Sequence, residues 1–215
     1  MKSDKIVIYS VLTRLWGNKS KHPRPSGTLA ENGSGKFSSF TKEALAYIRS
    51  LGTTHVWYIG VLEHATKTNY SSIGIQPDHP DTVKGEAGSP YAVKDYYDID
   101  PDLAVDPVRR QEEFDALLRR THEAGLKVLI DFVPNHVARC YHSDAKPEGT
   151  EDLGEGDDKL QSFSPANNFY YLPDSSLILP HHSPDTSLYV EAPARATGND
   201  CFTSTPSVND WYETV

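Results

Sequence analysis

The run Asp131-Phe132-Val133-Pro134-Asn135-His136 closes an apolar stretch, Lys127-Val128-Leu129-Ile130. An aspartate where a buried strand ends can orient a cation or a neighbouring side chain. Asparagine offers a hard carbonyl oxygen of the kind calcium takes, and histidine offers a hydrogen bond or a metal-binding nitrogen. The same Asn135-His136 pair also suits a plain turn, because asparagine tolerates left-handed backbone. A second cluster, Ser89-Pro90-Tyr91-Ala92-Val93-Lys94-Asp95-Tyr96-Tyr97-Asp98, gathers tyrosines, carboxylates and a lysine before a helix. Taken alone, Tyr91 reads either as a packing residue or as a ring on which a sugar could stack.

Positioning these groups requires a scaffold, and the hydrophobic spacing supplies one. The β-branched run at 5–12 predicts a buried strand. Thr41 can cap a helix that places Ala44, Leu45, Ile48 and Leu51 on one face, with Gly52 just past its end. Residues 55–59 predict a second buried strand. A loop of about thirty residues then runs to Pro90, a length usually functional or disordered in compact domains. Asp106-Pro107 reads as a cap and first helical position. Val108, Phe114, Leu117, Leu118 and Thr121 mark the face of that helix, and Gly125 closes it before a third strand at 127–132. Both helices end in glycine and lead directly into an apolar strand, so the class is α/β with parallel pairing. Function in such sheets sits at the carboxyl ends of the strands, where both clusters fall. After Val137 the chain is loop-rich without helical period, with aromatic runs at 169–171 and 188–190 predicting small strands.

Composition excludes several classes. No apolar run approaches the ~18 residues of a membrane helix. Three Trp, twelve Tyr and seven Phe in 215 residues argue against bulk disorder. Net charge is −9, yet residues 1–50 carry nine Lys/Arg against three Asp/Glu. Those cations form no dense run, so no nucleic-acid footprint is expected. The acidic stretch 144–158 reads as a solvated loop, since it lacks EF-hand spacing. Cys140 and Cys201 make neither a disulfide framework nor a zinc pattern and read as two unpaired thiols, a single bridge being left open. The apolar segment 6–12 ends at Arg14 without a small-residue cleavage site, so it reads as a strand rather than a signal peptide, and the compartment is left undefined.

In combination the segments are more specific. The chain resembles the α-amylase superfamily, glycoside hydrolase family 13. Ile8-Tyr9-Ser10-Val11-Leu12-Thr13-Arg14 looks like that family's first strand, and Leu51-Gly52-Thr53-Thr54-His55-Val56-Trp57 like the passage into its second. Tyr91 followed by Asp95-Tyr96-Tyr97 looks like the loop after strand two, although Pro90 stands where glycine commonly precedes the tyrosine. Ala124 through Asp131, leading to Asn135-His136, looks like the first conserved region, and 209–215 like the end of the inserted domain B of some bacterial members.

The resemblance implies a partial (β/α)8 TIM barrel, its first three strands in residues 1–136, followed by a loop-rich domain B in 137–215. It implies an α-glucan or maltooligosaccharide as substrate. Tyr91 would stack on the sugar ring beside the scissile bond, His136 would hydrogen-bond that ring's primary hydroxyl, and Asp131 would support the network from the strand end. Asn135 would give its side-chain oxygen to a structural calcium, the one cofactor implied.

Retaining glycosidases use two carboxyl groups about 5–5.5 Å apart. In this family the nucleophilic aspartate lies in a G-x-R-x-D context, which occurs nowhere here; Arg195-Ala196-Thr197-Gly198 and Asp200 do not supply it. A complete barrel needs eight strands and typically ~250 residues. The expectation is therefore the N-terminal part of a retaining α-amylase-like enzyme, inactive by itself and lacking the C-terminal part of its barrel. Its third strand would present an open edge prone to pairing. A transglycosylase of the same family is a close variant. The alternative of another class is a non-catalytic amylase-like barrel that binds carbohydrate or a partner.

Overall fold

The computed structural model describes residues 5–197, 203–205 and 213–214. Met1–Asp4, Gly198, Asp200, Cys201 and most of 209–215 lie outside the described residues, and with them the Cys140–Cys201 pairing and the resemblance drawn for 209–215. The chain divides into two compact units, Met1–Glu63 with Ile99–Phe132, and His64–Asp98 with Val133–Val215. This division differs from the 1–136 and 137–215 segments, because residues 64–98 group with the later part of the chain. Among the described residues no helix is long and apolar enough to cross a membrane.

The strands in chain order are β1 (Ile8–Leu12), β2 (His55–Ile59), β3 (Leu62–His64), β4 (Val93–Ile99), β5 (Lys127–Ile130), β6 (Val137–Ala138), β7 (Tyr171–Leu172), β8 (Ala194–Arg195) and β9 (Glu213–Thr214). In the first unit β1, β2 and β5 form a parallel sheet in the order β1-β2-β5. Register row Tyr9–Val56–Val128 faces the core, and the next row, Ser10–Trp57–Leu129, points the other way, as the two-residue period of a strand requires. Trp57 and Leu129 keep 38% and 37% of their surface exposed, and Phe132 keeps 73%. One face of this sheet is packed into the core, and the other is only partly covered. β5 is an edge strand and stops at Ile130, so Asp131 and Phe132 leave the ladder sooner than the apolar run predicts.

The α-helices are α1 (Leu29–Asn32), α2 (Lys42–Ser50) and α3 (Arg110–Glu123). Thr41 caps α2, its hydroxyl accepting the Ala44 N–H at 3.2 Å. Leu45 and Ile48 bury against Phe37, Phe40, Val56, Tyr58 and Leu117, whereas Leu51, expected on that face, is the exposed C-cap. Trp16 stacks on Phe40 with ring centroids 5.1 Å apart, and Phe40 meets Tyr58 edge-on at 4.9 Å. Tyr58 Oη pairs with Thr121 Oγ1 at 2.7 Å, and burial pushes its hydroxyl up to about 12.

The second helix begins differently from its sequence pattern. Asp106 caps a 3₁₀ turn, Pro107–Arg109, and the α-helix starts only at Arg110. The Glu113 carboxylate reaches back to the N–H groups of Val105 (2.9 Å) and Asp106 (2.8 Å), tightening the entry and leaving Val108 in solvent.

The second unit has little regular structure. β6 pairs with β9 and β7 with β8, both antiparallel and two residues long. The segment expected as a loop through 98 instead contains β4 from Val93. Of the aromatic runs, only Tyr171 enters a strand, while Leu188 and Val190 are exposed outside any. Carboxylates hold the loops. Asp157 accepts the Asn168 N–H at 2.8 Å, the Phe169 N–H at 3.0 Å and the Tyr171 hydroxyl at 3.0 Å. Asp152 accepts the Ser143 N–H at 3.1 Å. Part of the acidic stretch expected to be merely solvated therefore pins backbone. Gly88 is required by a close approach: at φ +70° a Cβ there would stand 1.7 Å from the Ala65 carbonyl oxygen.

Asp100, in the first unit, gives a test of these energetics. It is buried, caps the turn Pro101–Leu103, and accepts the Asp102 N–H at 2.9 Å. Burial raises its carboxyl to about 6, against the partial relief of Arg14 and Lys36. A folded-state value above the unfolded one means that its contribution is most favourable below the unfolded value and declines as pH rises through about 4 to 6. Asp100→Asn keeps the accepting oxygen and removes the buried charge. Urea melts should show the variant gaining about 1–3 kcal/mol on wild type between pH 4 and 8; an unchanged difference over that range would contradict the assignment.

Candidate functional site

The parallel sheet of the first unit converges on Asp131, one residue beyond β5. Its Oδ1 accepts the indole Nε1–H of Trp57 at 2.7 Å, and its Oδ2 accepts the Gly60 N–H at 2.6 Å. Trp57 lies within β2 and Gly60 directly follows it, at φ +71°. Thr13, just after β1, donates its hydroxyl to the Ile59 carbonyl at 2.9 Å. The carboxyl ends of all three strands are thus tied crosswise. Each Asp131 oxygen thus accepts one protein donor.

Tyr91, Asn135 and His136 belong to the second unit. Tyr91 lies within a turn in which Ser89 O accepts the Ala92 N–H at 3.0 Å and Ser89 Oγ the Tyr91 N–H at 3.3 Å. Its side chain is presented to solvent, with 43% of its surface exposed. Asn135 Nδ2 lies 2.9 Å from His136 Nδ1. His136 Nε2 is buried.

Sequence reasoning gave no role to Tyr96, which organises this loop. Its hydroxyl donates to the Val133 carbonyl and approaches the His136 carbonyl at 3.5 Å. Its ring packs against Tyr141 with centroids 5.9 Å apart, and burial raises its pKa, so it remains a donor at neutral pH. Lys94, also unassigned, is buried with Asp78, their Nζ–Oδ2 distance being 3.3 Å, and its Nζ donates to Gln76 O as well. Asp78 accepts the Thr66 N–H at 3.1 Å, and burial raises its carboxyl despite Lys94. This pair fixes the segment before Tyr91. A buried lysine in a tyrosine-rich segment was the available signal; its partner, sixteen residues earlier, was not.

Asn135 is exposed and offers one hard oxygen, whereas calcium takes about six to eight. That single donor does not by itself constitute a calcium site.

The family model for the α-amylase catalytic domain matches residues 29–172, two thirds of the chain and the span from α1 to β7. The chain belongs to the α-amylase family. Maltase 1 of Drosophila virilis is 33% identical over 92 residues, which is 41% of this chain and 13% of that protein. The rat amino acid transporter heavy chain SLC3A1 is 32% identical over 77 residues, 36% of this chain and 10% of that protein. Among solved structures, a noncanonic maltogenic α-amylase from Thermotoga neapolitana is 28% identical, with 66% of this chain and 26% of that chain covered and a TM-score of 0.44. The chain thus spans between 10% and 26% of the length of these relatives. The family match includes Tyr91, Asp131, Asn135 and His136.

The geometry at Asp131 is open to direct test. Asp131→Ala removes the acceptor for both Trp57 Nε1–H and the Gly60 N–H. Bonds to a charged acceptor contribute about 1.5–3 kcal/mol when buried and less where solvent reaches them, so a loss of about 1–3 kcal/mol is expected in urea unfolding. Trp57 fluorescence should shift in the folded variant. Unchanged stability and emission would show that the carboxylate does not tie the strand ends.

Proposed function

We propose that these residues are the first part of the catalytic domain of a retaining, α-glucan-active glycoside hydrolase: the first three strands of a (β/α)8 barrel and a loop-rich domain B. The observation that carries the reading is the Asp131 carboxylate that ties Trp57 and Gly60 to the end of the third parallel strand, inside a span matched by the α-amylase family model. Asp131 holds the Trp57 indole on one oxygen and the Gly60 N–H on the other. It orients the strand ends, while Tyr91 supplies a stacking face and His136 hydrogen-bonds a sugar hydroxyl. The catalytic carboxylate pair is contributed by another stretch of the protein, consistent with the absence of G-x-R-x-D from this sequence. Asn135 would offer an oxygen to a structural calcium whose remaining ligands lie elsewhere.

One observation favours a second reading. The match to an amino acid transporter heavy chain shows that the segment also occurs in a protein named for transport. On that reading the intact protein binds carbohydrate or a partner without turnover. A transglycosylase is separated from a hydrolase by its products.

In the intact protein, His136→Ala should lower turnover of maltooligosaccharides by about a hundredfold or more, the scale of losing one well-placed hydrogen bond, with an unchanged melting temperature. Wild-type rates in that variant would remove His136 from the sugar site. An intact wild-type protein that binds maltotriose and never cleaves or transfers it would select the second reading.

A further inference from the structure

A groove of about 570 Å³ lies between α2 and α3 in the first unit. From α2 it takes Lys42, Ala46, Arg49 and Ser50, which share one helical face at spacings of three, four and seven or eight. Arg120 and Glu123 of α3 and the following Ala124 complete the wall. Tyr91, Asp131, Asn135 and His136 do not line it, so the sugar contacts proposed above leave it without a role.

The charge of this wall is one-sided. Lys42, Arg49 and Arg120 share it with a single carboxylate, Glu123. The chain carries 30 acidic residues against 21 basic ones. Yet among the described residues no carboxylate forms an ion pair with any of these three cations. Glu43, next to Lys42, does not line the groove; its own backbone N–H and Thr41 draw its carboxyl below the ordinary range.

Backbone carbonyls hold the two guanidinium groups instead. Arg120 donates from Nε to Phe40 O at 3.2 Å and from Nη2 to Phe37 O at 2.8 Å. Arg49 donates from Nη1 to Thr53 O at 2.8 Å. Its Nε lies 3.9 Å from where a Cβ on Gly125 would stand, so this arginine of α2 reaches the end of α3. A guanidinium has five N–H donors, so each keeps donors to spare in a fixed orientation. Ordering them for a ligand therefore costs little.

The cations also stand apart. Arg120 is bonded to Phe40, just before the Thr41 cap, so it belongs with Lys42 at the start of α2. Arg49 follows seven residues later, about 10 Å along the helix axis. On this face of α2 only the methyl of Ala46 lies between them. A single phosphate reaches one of these places, not both. A peptide in the polyproline II form reaches both, because residues three apart point the same way and stand about 9 Å apart. Its carboxylates suit the paired donors of a guanidinium fork. A uniformly charged strand, such as a nucleic-acid backbone, would instead meet Glu123 and the uncharged floor.

We propose that the groove between α2 and α3 docks an acidic peptide segment of a partner protein, one carboxylate at Lys42 and Arg120 and a second, three residues on, at Arg49. The proposal makes no use of the α-glucan reading.

Fluorescence anisotropy of the full chain with a labelled, acetylated Ala-Glu-Pro-Pro-Glu-Ala peptide tests it. Saturable binding that weakens with added salt is expected. Lys42→Glu with Ala46→Glu, at two exposed positions on the groove, should weaken it about tenfold or more. Lys42→Ala alone should weaken it measurably with an unchanged thermal melt. Lys21→Glu, a charge reversal at an exposed position outside the groove, should leave the affinity unchanged. The peptide with glutamine at both glutamate positions should bind about tenfold more weakly or worse. Absence of saturable binding, equal affinity for the glutamine peptide, wild-type affinity in the double variant, an equal loss in Lys21→Glu, or displacement by inorganic phosphate as effective as by unlabelled peptide would each overturn the inference. None of these results touches cleavage by the intact protein, which tests the proposed function separately.

Discussion

The carboxylate of Asp131 joins parts of the first unit that the chain keeps far apart. Its partners, Trp57 and Gly60, precede it by 74 and 71 residues. Parallel strands cannot be closed by a short hairpin, so their relative height depends on packing and on ties of this kind. With Trp57 and the Gly60 turn fixed to the end of β5, the end of β2 is set against it, and Thr13 sets β1 against β2 through Ile59. The buried ladder of Trp16, Phe40 and Tyr58 stabilises the opposite face. A partly exposed row through Trp57 and Leu129 is what remains of the sheet's surface, and a larger barrel is the arrangement in which such a row would be covered.

The second unit solves a different problem. Loops of this length lack ladders to satisfy their backbone, and buried N–H groups need partners. Asp152 and Asp157 meet that need, as does Asp81, which accepts the Ser183 N–H at 3.1 Å and faces His182 Nδ1 at 2.8 Å. Asp81 is held below the ordinary carboxylate range: burial would raise it, and the His182 and Ser183 bonds outweigh that. The acidity of the sequence is therefore partly structural.

How much of this was legible follows from the range of each interaction. The strand–helix–strand order, the Thr41 cap and the parallel neighbours β2 and β5 are written in local spacing, and the structure shows them. The strand β4 was missed because Lys94, Asp95 and Asp98 are buried; a polar run reads as loop until its partners are known. Asp95 is satisfied by the Ser143 hydroxyl at 2.7 Å, forty-eight residues away. Asp131 was recognisable from its place at a strand end, but its partners were not, since neither donor is a sequence neighbour. The helix entry at Asp106 was half legible: the cap could be read, while the reach of Glu113 that tightens the turn could not.

The central claim is that this family member carries sugar contacts here and its catalytic carboxylates elsewhere. Determining the reading frame beyond the codon for Val215 tests it most directly. The account predicts a further strand ending in G-x-R-x-D, followed by a strand-borne glutamate. A frame that closes at Val215, or continues without those acids, would contradict the hydrolase reading and leave carbohydrate or partner binding as the function of the chain.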